Sequence, residues 1–258
     1  MHRPIQRPMH RRRLLEGIGA LALSPLCATL GAAAEGPHWS YEGETGPDKW
    51  GSLGGDGNVC ATGTQQSPVD ITGTLRSDVP KLGIAWTRRP DTIVNNGHTI
   101  QLNVPEGATL RVGNDVYRLV QFHFHHPSEH RINGKDTPME VHFVHALPSG
   151  ALGVIGVMMK TGKANPAFNK IVTTMPASAG PAVKADAAIN PNALLPAKRG
   201  YYSYAGSLTT PPCSEVVNWM VLTDPIEVAE ADVAAFAKLY PMNARPVLPA
   251  NRRFVLRS

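Results

Sequence analysis

Short runs rich in β-branched and aromatic residues, separated by Gly, Pro and Asn turns, most constrain what this chain can fold into. Asn96-Gly97 and Gly113-Asn114-Asp115 are typical of the connections between two hairpin strands. The run ALGVIGVMMK, residues 151–160, is apolar at nearly every position, which favours a strand buried on both faces. The other runs are residues 91–104, 108–125, 139–147 and 216–228.

Helical signals are few. Residues 165–175, which begin with Asn165-Pro166, and residues 228–240 are the two segments that favour helices. No Gly/Ser linker, low-complexity tract or internal repeat divides the chain after its N-terminal segment. The sequence therefore predicts a mainly β protein, a single domain built on one large mixed sheet with helices at its margins.

Residues 1–34 are predicted to be a signal peptide, which leaves residues 35–258 as the mature domain. A basic segment precedes an apolar one, and Ala32-Ala33-Ala34 offers a small-residue cleavage site. The apolar run is interrupted by Pro25 and is too short to span a bilayer. Arg11-Arg12-Arg13 also fits a twin-arginine signal, so that route and ordinary secretion both stay open. The mature protein is expected to be periplasmic or secreted.

The basic character of the chain belongs mostly to this predicted signal. Residues 1–34 hold five arginines and one acid, so the formal net charge of +5 falls to +1 for residues 35–258. A nearly neutral mature chain gives no argument for a nucleic acid or an anionic membrane as partner. The two cysteines of the mature chain, Cys60 and Cys213, are predicted to form a disulfide in an oxidising compartment, with two buried thiols as the alternative.

Histidine is concentrated in residues 121–145, which hold six of the ten histidines in the chain. Alternate side chains of a strand share a face, so His123 and His125 project together. The segment that follows is long enough to bring a second strand beside the first, antiparallel. On spacing alone, either His142 or His145 could then complete a set of three imidazoles.

Three neutral imidazoles leave a tetrahedral zinc ion one open position for water, which is the arrangement of a catalytic site. Each ligand also needs its other ring nitrogen fixed by a partner. Gln121 stands two residues from His123, and Glu140 stands two residues from His142, on the same strand faces. These partners favour His142 over His145 as the third ligand.

Two alternatives compete with a catalytic zinc centre. His123, His125 and Glu129 form an H-x-H-x-x-x-E pattern that resembles the first motif of the cupins. Cupins carry glycines at two flanking positions, where this chain has Tyr117 and Asp136, so a cupin-type metal oxygenase or isomerase is disfavoured. The second alternative is a binding module that holds metal without catalysis.

Six segments that occur in a fixed order decide among these hypotheses. They are QSPVDI at 66–71, NNGH at 95–98, QFHFH at 121–125, SEH at 128–130, EVHFVH at 140–145 and GSLTTPP at 206–212. Together they resemble the α-class carbonic anhydrases, from about residue 38 to residue 253. The resemblance implies a large twisted, mostly antiparallel central sheet with a few peripheral helices. It also implies reversible hydration of carbon dioxide to bicarbonate and a proton by zinc-bound hydroxide.

The resemblance further implies a role for each matching residue. The Zn2+ ligands would be His123, His125 and His142, with Gln121 and Glu140 as their hydrogen-bond partners. Glu129 and Thr209 would orient the hydroxide, and His98 would be the proton shuttle. His130 and His145 would be structural.

The remaining implied roles concern the cleft and the surroundings of the site. The pocket for CO2 would be formed by Val144, Val154, Leu208 and Trp219, and Thr209 and Thr210 would contact the substrate or bicarbonate. Tyr41, Asn96 and Gln101 would order water between zinc and shuttle. Cys60 and Cys213 match the disulfide of exported members of the class. A homodimer is also expected by resemblance.

Overall fold

The computed structural model describes residues 38–54 and 58–258, so the predicted signal peptide lies outside the described residues. The strands in the described part of the chain are β1 (Asp70–Ile71), β2 (Leu75–Arg76), β3 (Leu82–Trp86), β4 (Thr92–Asn95), β5 (Ile100–Asn103), β6 (Ala108–Val112), β7 (Asp115–His125), β8 (Arg131–Ile132), β9 (Met139–Ala146), β10 (Leu152–Thr161), β11 (Val183–Lys184), β12 (Tyr201–Gly206), β13 (Val217–Leu222), β14 (Ile226–Val228) and β15 (Leu256–Arg257). The α-helices are α1 (Val59–Thr62), α2 (Pro166–Thr174) and α3 (Glu230–Ala237), and 3-10 helices cover Gly43–Thr45, Pro47–Ser52 and Pro191–Leu194.

Thirteen of these strands form one mixed sheet. Its main path runs β11-β4-β5-β7-β9-β10-β13-β12-β15-β2, with β6 pairing β7, β3 pairing β6 and β14 pairing β10. Most neighbours are antiparallel, while β10 runs parallel to both β13 and β14 and β15 runs parallel to β2. The structure therefore confirms the predicted fold class, a large and mostly antiparallel sheet with few helices.

Strand β10 lies at the centre of this sheet, as its unbroken apolar sequence predicts. It pairs with β9 on one side and with β13 and β14 on the other, and residues 153–159 are all buried. The helix predicted after Asn165 is α2, and the Asn165 side chain caps it by accepting hydrogen bonds from the amides of Ala167 and Phe168. The run 216–228 breaks into β13 and β14.

The two faces of the sheet support two groups of buried apolar residues. The larger group includes Phe122, Phe124 and Phe143, together with side chains from α2 and α3. The smaller group surrounds Trp219 and includes Val154. The three phenylalanines alternate along β7 and β9 with His123, His125 and His142, so burying the aromatic rings turns these three histidines towards the other face.

Cys60 and Cys213 form the disulfide that the sequence predicts. The bond closes a loop of 153 residues. The carbonyl of Cys60 accepts a hydrogen bond from Arg245, and that of Cys213 accepts one from Gln66. The disulfide therefore joins the loop between β12 and β13, which contains Thr209 and Thr210, to the N-terminal part of the domain.

Reduction of this disulfide is expected to lower the melting temperature by roughly 10 °C. A loop of this length restricts the unfolded chain by about 4–5 kcal/mol in the chain-entropy account, and each 1 kcal/mol corresponds to about 2–4 °C in a domain of this size. Melting curves with and without reductant measure the effect. A Cys60→Ser, Cys213→Ser double variant is the control, since it should not respond to reductant. An unchanged wild-type melting temperature would contradict the expectation.

Candidate metal centre and catalytic cleft

Strands β7 and β9 bring three histidines together. His123 and His125 share a face of β7, and His142 on β9 pairs in register with His123. One side-chain nitrogen from each of the three lies within 4.8 Å of the other two. His125 and His142 are each only 1% exposed, so the set lies at the base of a cleft and not on an open surface.

A hydrogen-bonding group stands behind each of these rings. His123 Nδ1 donates to Gln121 Oε1 at 2.8 Å, and His125 Nδ1 donates to the carbonyl oxygen of Asn243 at 2.8 Å. The Nε2 atom of His142 lies 3.0 Å from Glu140 Oε1. These partners leave the other nitrogen of each ring available as a donor to a cation.

The protonation state of the three rings suits metal binding. Burial lowers the pKa of each of the three, that of His125 to about 4, so the imidazoles are neutral at pH 7. His125 Nε2 is buried and has no hydrogen-bond partner among the described residues. A buried polar atom without a partner is costly, and a cation shared with two neighbouring imidazoles would remove that cost. The three residues therefore fit a zinc ion.

Glu140, which lies behind His142, is also held in place by groups of Glu129 and His130. Its Oε2 accepts hydrogen bonds from the amides of Glu129 and His130, and its Oε1 lies 2.8 Å from His130 Nδ1. Burial alone would raise the pKa of Glu140, but His130 and His142 lower it well below its ordinary value. Gly156 on β10 leaves room for this carboxylate, because a Cβ there would lie 2.8 Å from Oε1. Glu140 is therefore a fixed anion behind His142.

Glu129 is a second buried carboxylate beside the three histidines. Its Oε2 lies 3.5 Å from His125 Nε2 and 3.8 Å from His142 Nδ1, and its Oε1 accepts a hydrogen bond from the Arg245 amide at 2.9 Å. Burial raises the pKa of Glu129 to about 7, while His142, the Arg245 amide and the Thr209 hydroxyl act in the opposite direction. A cation held by the histidines would further favour the ionised form.

The cleft above the histidines contains five of the residues predicted to act near them, namely Tyr41, Asn96, His98, Gln101 and Thr210. Its cavity of about 120 Å³ is lined by Trp39, Tyr41, Asn96, His98, Thr99, Gln101, Gln121, His123, His125 and Thr210. The His98 ring stacks on Trp39 with a centroid separation of 3.7 Å. Burial, and then the neighbouring His38, lower the pKa of His98, so it is neutral at pH 7. The cleft thus has the neutral imidazole of His98 on its wall and the histidines that could bind a metal ion at its base.

The four residues predicted to form an apolar pocket pack in one cluster. Val154 and Trp219 are buried, and Val144 and Leu208 pack against them. The Trp219 ring centroid lies 4.8 Å from that of His142, so this cluster adjoins the three histidines of the candidate metal site. Thr209 follows Leu208 in the chain and is itself buried.

The structure separates the other histidines of the 121–145 segment from this set. His145, the alternative third ligand, faces the core, where Nε2 accepts a hydrogen bond from Trp86 and Nδ1 donates to the Gly153 carbonyl. His130 bonds to Glu140 and to the Tyr204 hydroxyl. His126 Nδ1 bonds to the Pro241 carbonyl. Both ring nitrogens of His145 are therefore engaged away from the cleft.

Three residues of the site have no counterpart among the sequence predictions. Asn243 orients His125, the Arg245 amide binds Glu129, and Trp39 stacks on His98. Asn243 is 118 residues from His125, and both it and Arg245 lie in an irregular segment between α3 and β15. Periodicity carries no signal for such contacts, and no motif quoted from the sequence included these residues.

Comparisons with known proteins agree over most of the chain. A model of the family described as eukaryotic-type carbonic anhydrase matches residues 45–258. The carbonic anhydrase of Pectobacterium atrosepticum is 40% identical over 243 residues, which cover 94% of this chain and 100% of that protein. The α-carbonic anhydrase of Thermovibrio ammonificans, solved with the inhibitor sulfanilamide, has a TM-score of 0.84 and 41% identity, covering 86% of this chain and 100% of that one. The Photobacterium profundum α-carbonic anhydrase has a TM-score of 0.81 and 41% identity, covering 85% and 100%.

Proposed function

The chain belongs to the eukaryotic-type (α-class) carbonic anhydrase family, whose reaction is the reversible hydration of CO2, and on this premise we propose which residues carry out that reaction. His123, His125 and His142 hold a zinc ion. The observation that carries this assignment is the buried, unpartnered Nε2 atom of His125 beside two further neutral imidazoles. Metal analysis of the purified protein tests it, with one zinc per chain expected and an iron or manganese content contradicting it.

Zinc, when bound, lowers the pKa of a coordinated water to about 7 and so makes hydroxide available at neutral pH. Gln121, the Asn243 carbonyl and Glu140 keep the three imidazoles oriented for that ion. The carboxylate of Glu140 also supplies negative charge behind His142, which makes this imidazole a stronger donor.

Glu129 and Thr209 orient the attacking oxygen. The Arg245 amide fixes Glu129 Oε1, and the ionised carboxylate accepts a hydrogen bond that the Thr209 hydroxyl donates. With its proton directed to Glu129, Thr209 can only accept a hydrogen bond from the nucleophile. The nucleophile then presents a lone pair towards CO2, which lowers the barrier by preorganisation.

The substrate binds against hydrocarbon. CO2 is small, uncharged and without a hydrogen-bond donor, so the cluster of Val144, Val154, Leu208 and Trp219 suits it better than it suits water. Thr210, which lines the cleft, contacts the more polar bicarbonate product. This difference in polarity favours the release of bicarbonate from the apolar wall into the open cleft.

His98 carries the product proton to solvent. It is neutral at neutral pH and half-buried at the cleft wall, so it can accept a proton and pass it on to buffer. Tyr41, Asn96 and Gln101 line the cavity between His98 and the base of the cleft and order the water through which the proton moves. The Asn96 side chain also accepts hydrogen bonds from the amides of His98 and Thr99, which fixes the turn that carries the shuttle.

Replacing His98 with alanine is expected to lower kcat at least about tenfold in weakly buffered solution, because a positioned acid–base group contributes at least this much. Imidazole in the buffer should restore kcat by accepting the proton directly. His126→Ala is the control, since this nearby, half-buried histidine is not assigned to proton transfer. Stopped-flow hydration measures both variants, and a His98→Ala protein with wild-type kcat at low buffer concentration would contradict the assignment.

The enzyme is proposed to act outside the cytoplasm, in the periplasm or as a secreted protein. The Cys60–Cys213 disulfide fits an oxidising compartment, and the predicted signal peptide at residues 1–34 supplies the route. Within residues 38–54 and 58–258, no helix has the length and apolarity needed to cross a membrane.

A further inference from the structure

Asn243 uses every hydrogen-bonding group that it has. It is completely buried, and its backbone N–H donates to the His126 carbonyl at 2.9 Å. Its carbonyl accepts from His125 Nδ1 at 2.8 Å, and its side-chain Oδ1 accepts from the His126 amide at 2.7 Å. The side-chain nitrogen donates to the carbonyls of His98 at 2.9 Å and Phe124 at 3.0 Å. One side chain therefore joins the strand that carries His125 to the turn that carries His98.

Only an amide satisfies this arrangement. The side-chain nitrogen faces two carbonyl oxygens, which require a donor with two hydrogens, and Oδ1 faces an amide N–H, which requires an acceptor. An aspartate of the same shape would place a carboxylate oxygen against two carbonyls. A buried group that loses its partner is costly, so the contact resists small displacements of the turn.

A second contact from the same segment holds the same turn. The Tyr240 hydroxyl bonds to Asn95 Oδ1 and lies 3.3 Å from the Thr99 carbonyl. Asn95 and Thr99 are the residues on either side of the Asn96–His98 connection between β4 and β5. The turn is thus attached at both ends and at His98 itself to residues 240–243, which also hold the His125 ring.

We propose that the side-chain amide of Asn243 is a positioning residue for proton transfer. It fixes the backbone of His98 relative to the His125 ring, and so sets the separation between the shuttle and the base of the cleft. This inference rests on the proposed roles of His98 and His125. Proton transfer depends steeply on geometry, and a displacement of about 1 Å can cost on the order of 100-fold in rate.

Four proteins test the proposal: the wild type, His98→Ala, Asn243→Ala and the double variant. The backbone carbonyl that binds His125 survives in Asn243→Ala, so zinc should remain at one per chain. We expect kcat in weak buffer to fall about tenfold, with kcat/KM for CO2 within about twofold of wild type, because proton loss follows the departure of bicarbonate and affects kcat alone. Imidazole should restore kcat, and Asn243→Ala should have no further effect on kcat in the His98→Ala background.

Asn192→Ala is the matched control, because Asn192 also donates its amide to a buried main-chain carbonyl, that of Trp86, away from the cleft. It should lower the melting temperature and leave kcat unchanged. If Asn243→Ala does not fold with zinc, Asn243→Ser, whose uncharged hydroxyl can still donate to one of the two carbonyls, takes its place in the same comparison.

The outcomes separate this inference from the function on which it rests. A normal kcat in His98→Ala would overturn the shuttle and the role of Asn243 together. A lowered kcat in His98→Ala with a normal kcat in Asn243→Ala would overturn only the role of Asn243. Full additivity of the two changes would do the same, since Asn243 would then act through another residue.

Discussion

Replacing His142 with alanine is expected to abolish CO2 hydration and to weaken zinc binding by more than about 100-fold. Losing only the hydrogen-bond partner of a metal ligand already weakens binding by up to about 100-fold, and here the ligand itself is lost. His142 lies in register with His123 on the neighbouring strand and provides the third donor of the set. Two imidazoles from one strand cannot close a tetrahedral site, and Glu140 would be left facing the gap. Zinc analysis after dialysis and stopped-flow hydration measure the two losses.

His145→Ala is the control for this variant, since His145 is equally buried on the same strand but faces the core. Its loss leaves the Trp86 indole N–H without a partner and should cost about 1–3 kcal/mol of stability. Zinc content and hydration rate should stay near wild type. A His142→Ala protein that retained one zinc and the wild-type rate would show that another residue provides the third ligand.

Removing the hydroxyl of Thr209 is expected to have the second largest effect. Thr209→Val keeps the volume and β-branching of the side chain but can no longer link Glu129 to the nucleophile. The loss of one preorganised hydrogen-bonding group at a reacting oxygen costs on the order of 100- to 1,000-fold in rate. We expect kcat/KM for CO2 to fall by this amount while the protein keeps one zinc, because Thr209 is not among the three histidines that hold the ion.

Thr209→Ser is the matched variant, because it retains the hydroxyl and loses only a methyl group. It should keep most of the wild-type kcat/KM. Equal losses in the serine and valine variants would mean that the methyl group and the packing of the loop matter, and that the hydroxyl does not orient the nucleophile. Glu129→Gln should resemble the valine variant, since a glutamine can present its N–H groups to Thr209 and reverse the direction of the hydrogen bond.

Strand alternation accounts for the part of the site that the sequence predicts well. The spacing of His123 and His125 places both on one face, and the same reasoning puts His142 and His145 on opposite faces of their strand. Alternation could not decide which of the two, His142 or His145, lies on the same face of the sheet as His123 and His125. The register of β7 with β9 decides it, and the Gln121 and Glu140 partners pointed the same way. The nearly unbroken apolar run at 151–160 likewise predicts a central strand. Residues 153–159 of β10 are all buried, and β10 has a neighbouring strand on each side.

The contacts that irregular segments make with the site could not be predicted from the sequence. Asn243 and Arg245 reach the site from a segment without helix or strand, across more than 100 residues of chain. Trp39 lies in another irregular segment, before the first 3-10 helix. Such contacts depend on how the whole sheet brings distant segments together, and neither period nor local propensity encodes that. The same holds for strand order, since β10 pairs in parallel with β13 and β14 from much later in the chain.

The proposed function depends on a zinc ion that His123, His125 and His142 hold. The most direct test removes zinc from the mature protein with a chelator, returns it in steps, and follows hydration by stopped flow. We predict that activity is lost with the metal and recovers linearly up to one zinc per chain, while His142→Ala recovers none. Activity that persisted in the metal-free protein, or a protein loaded with one zinc that hydrated no CO2, would contradict the proposed role of the metal.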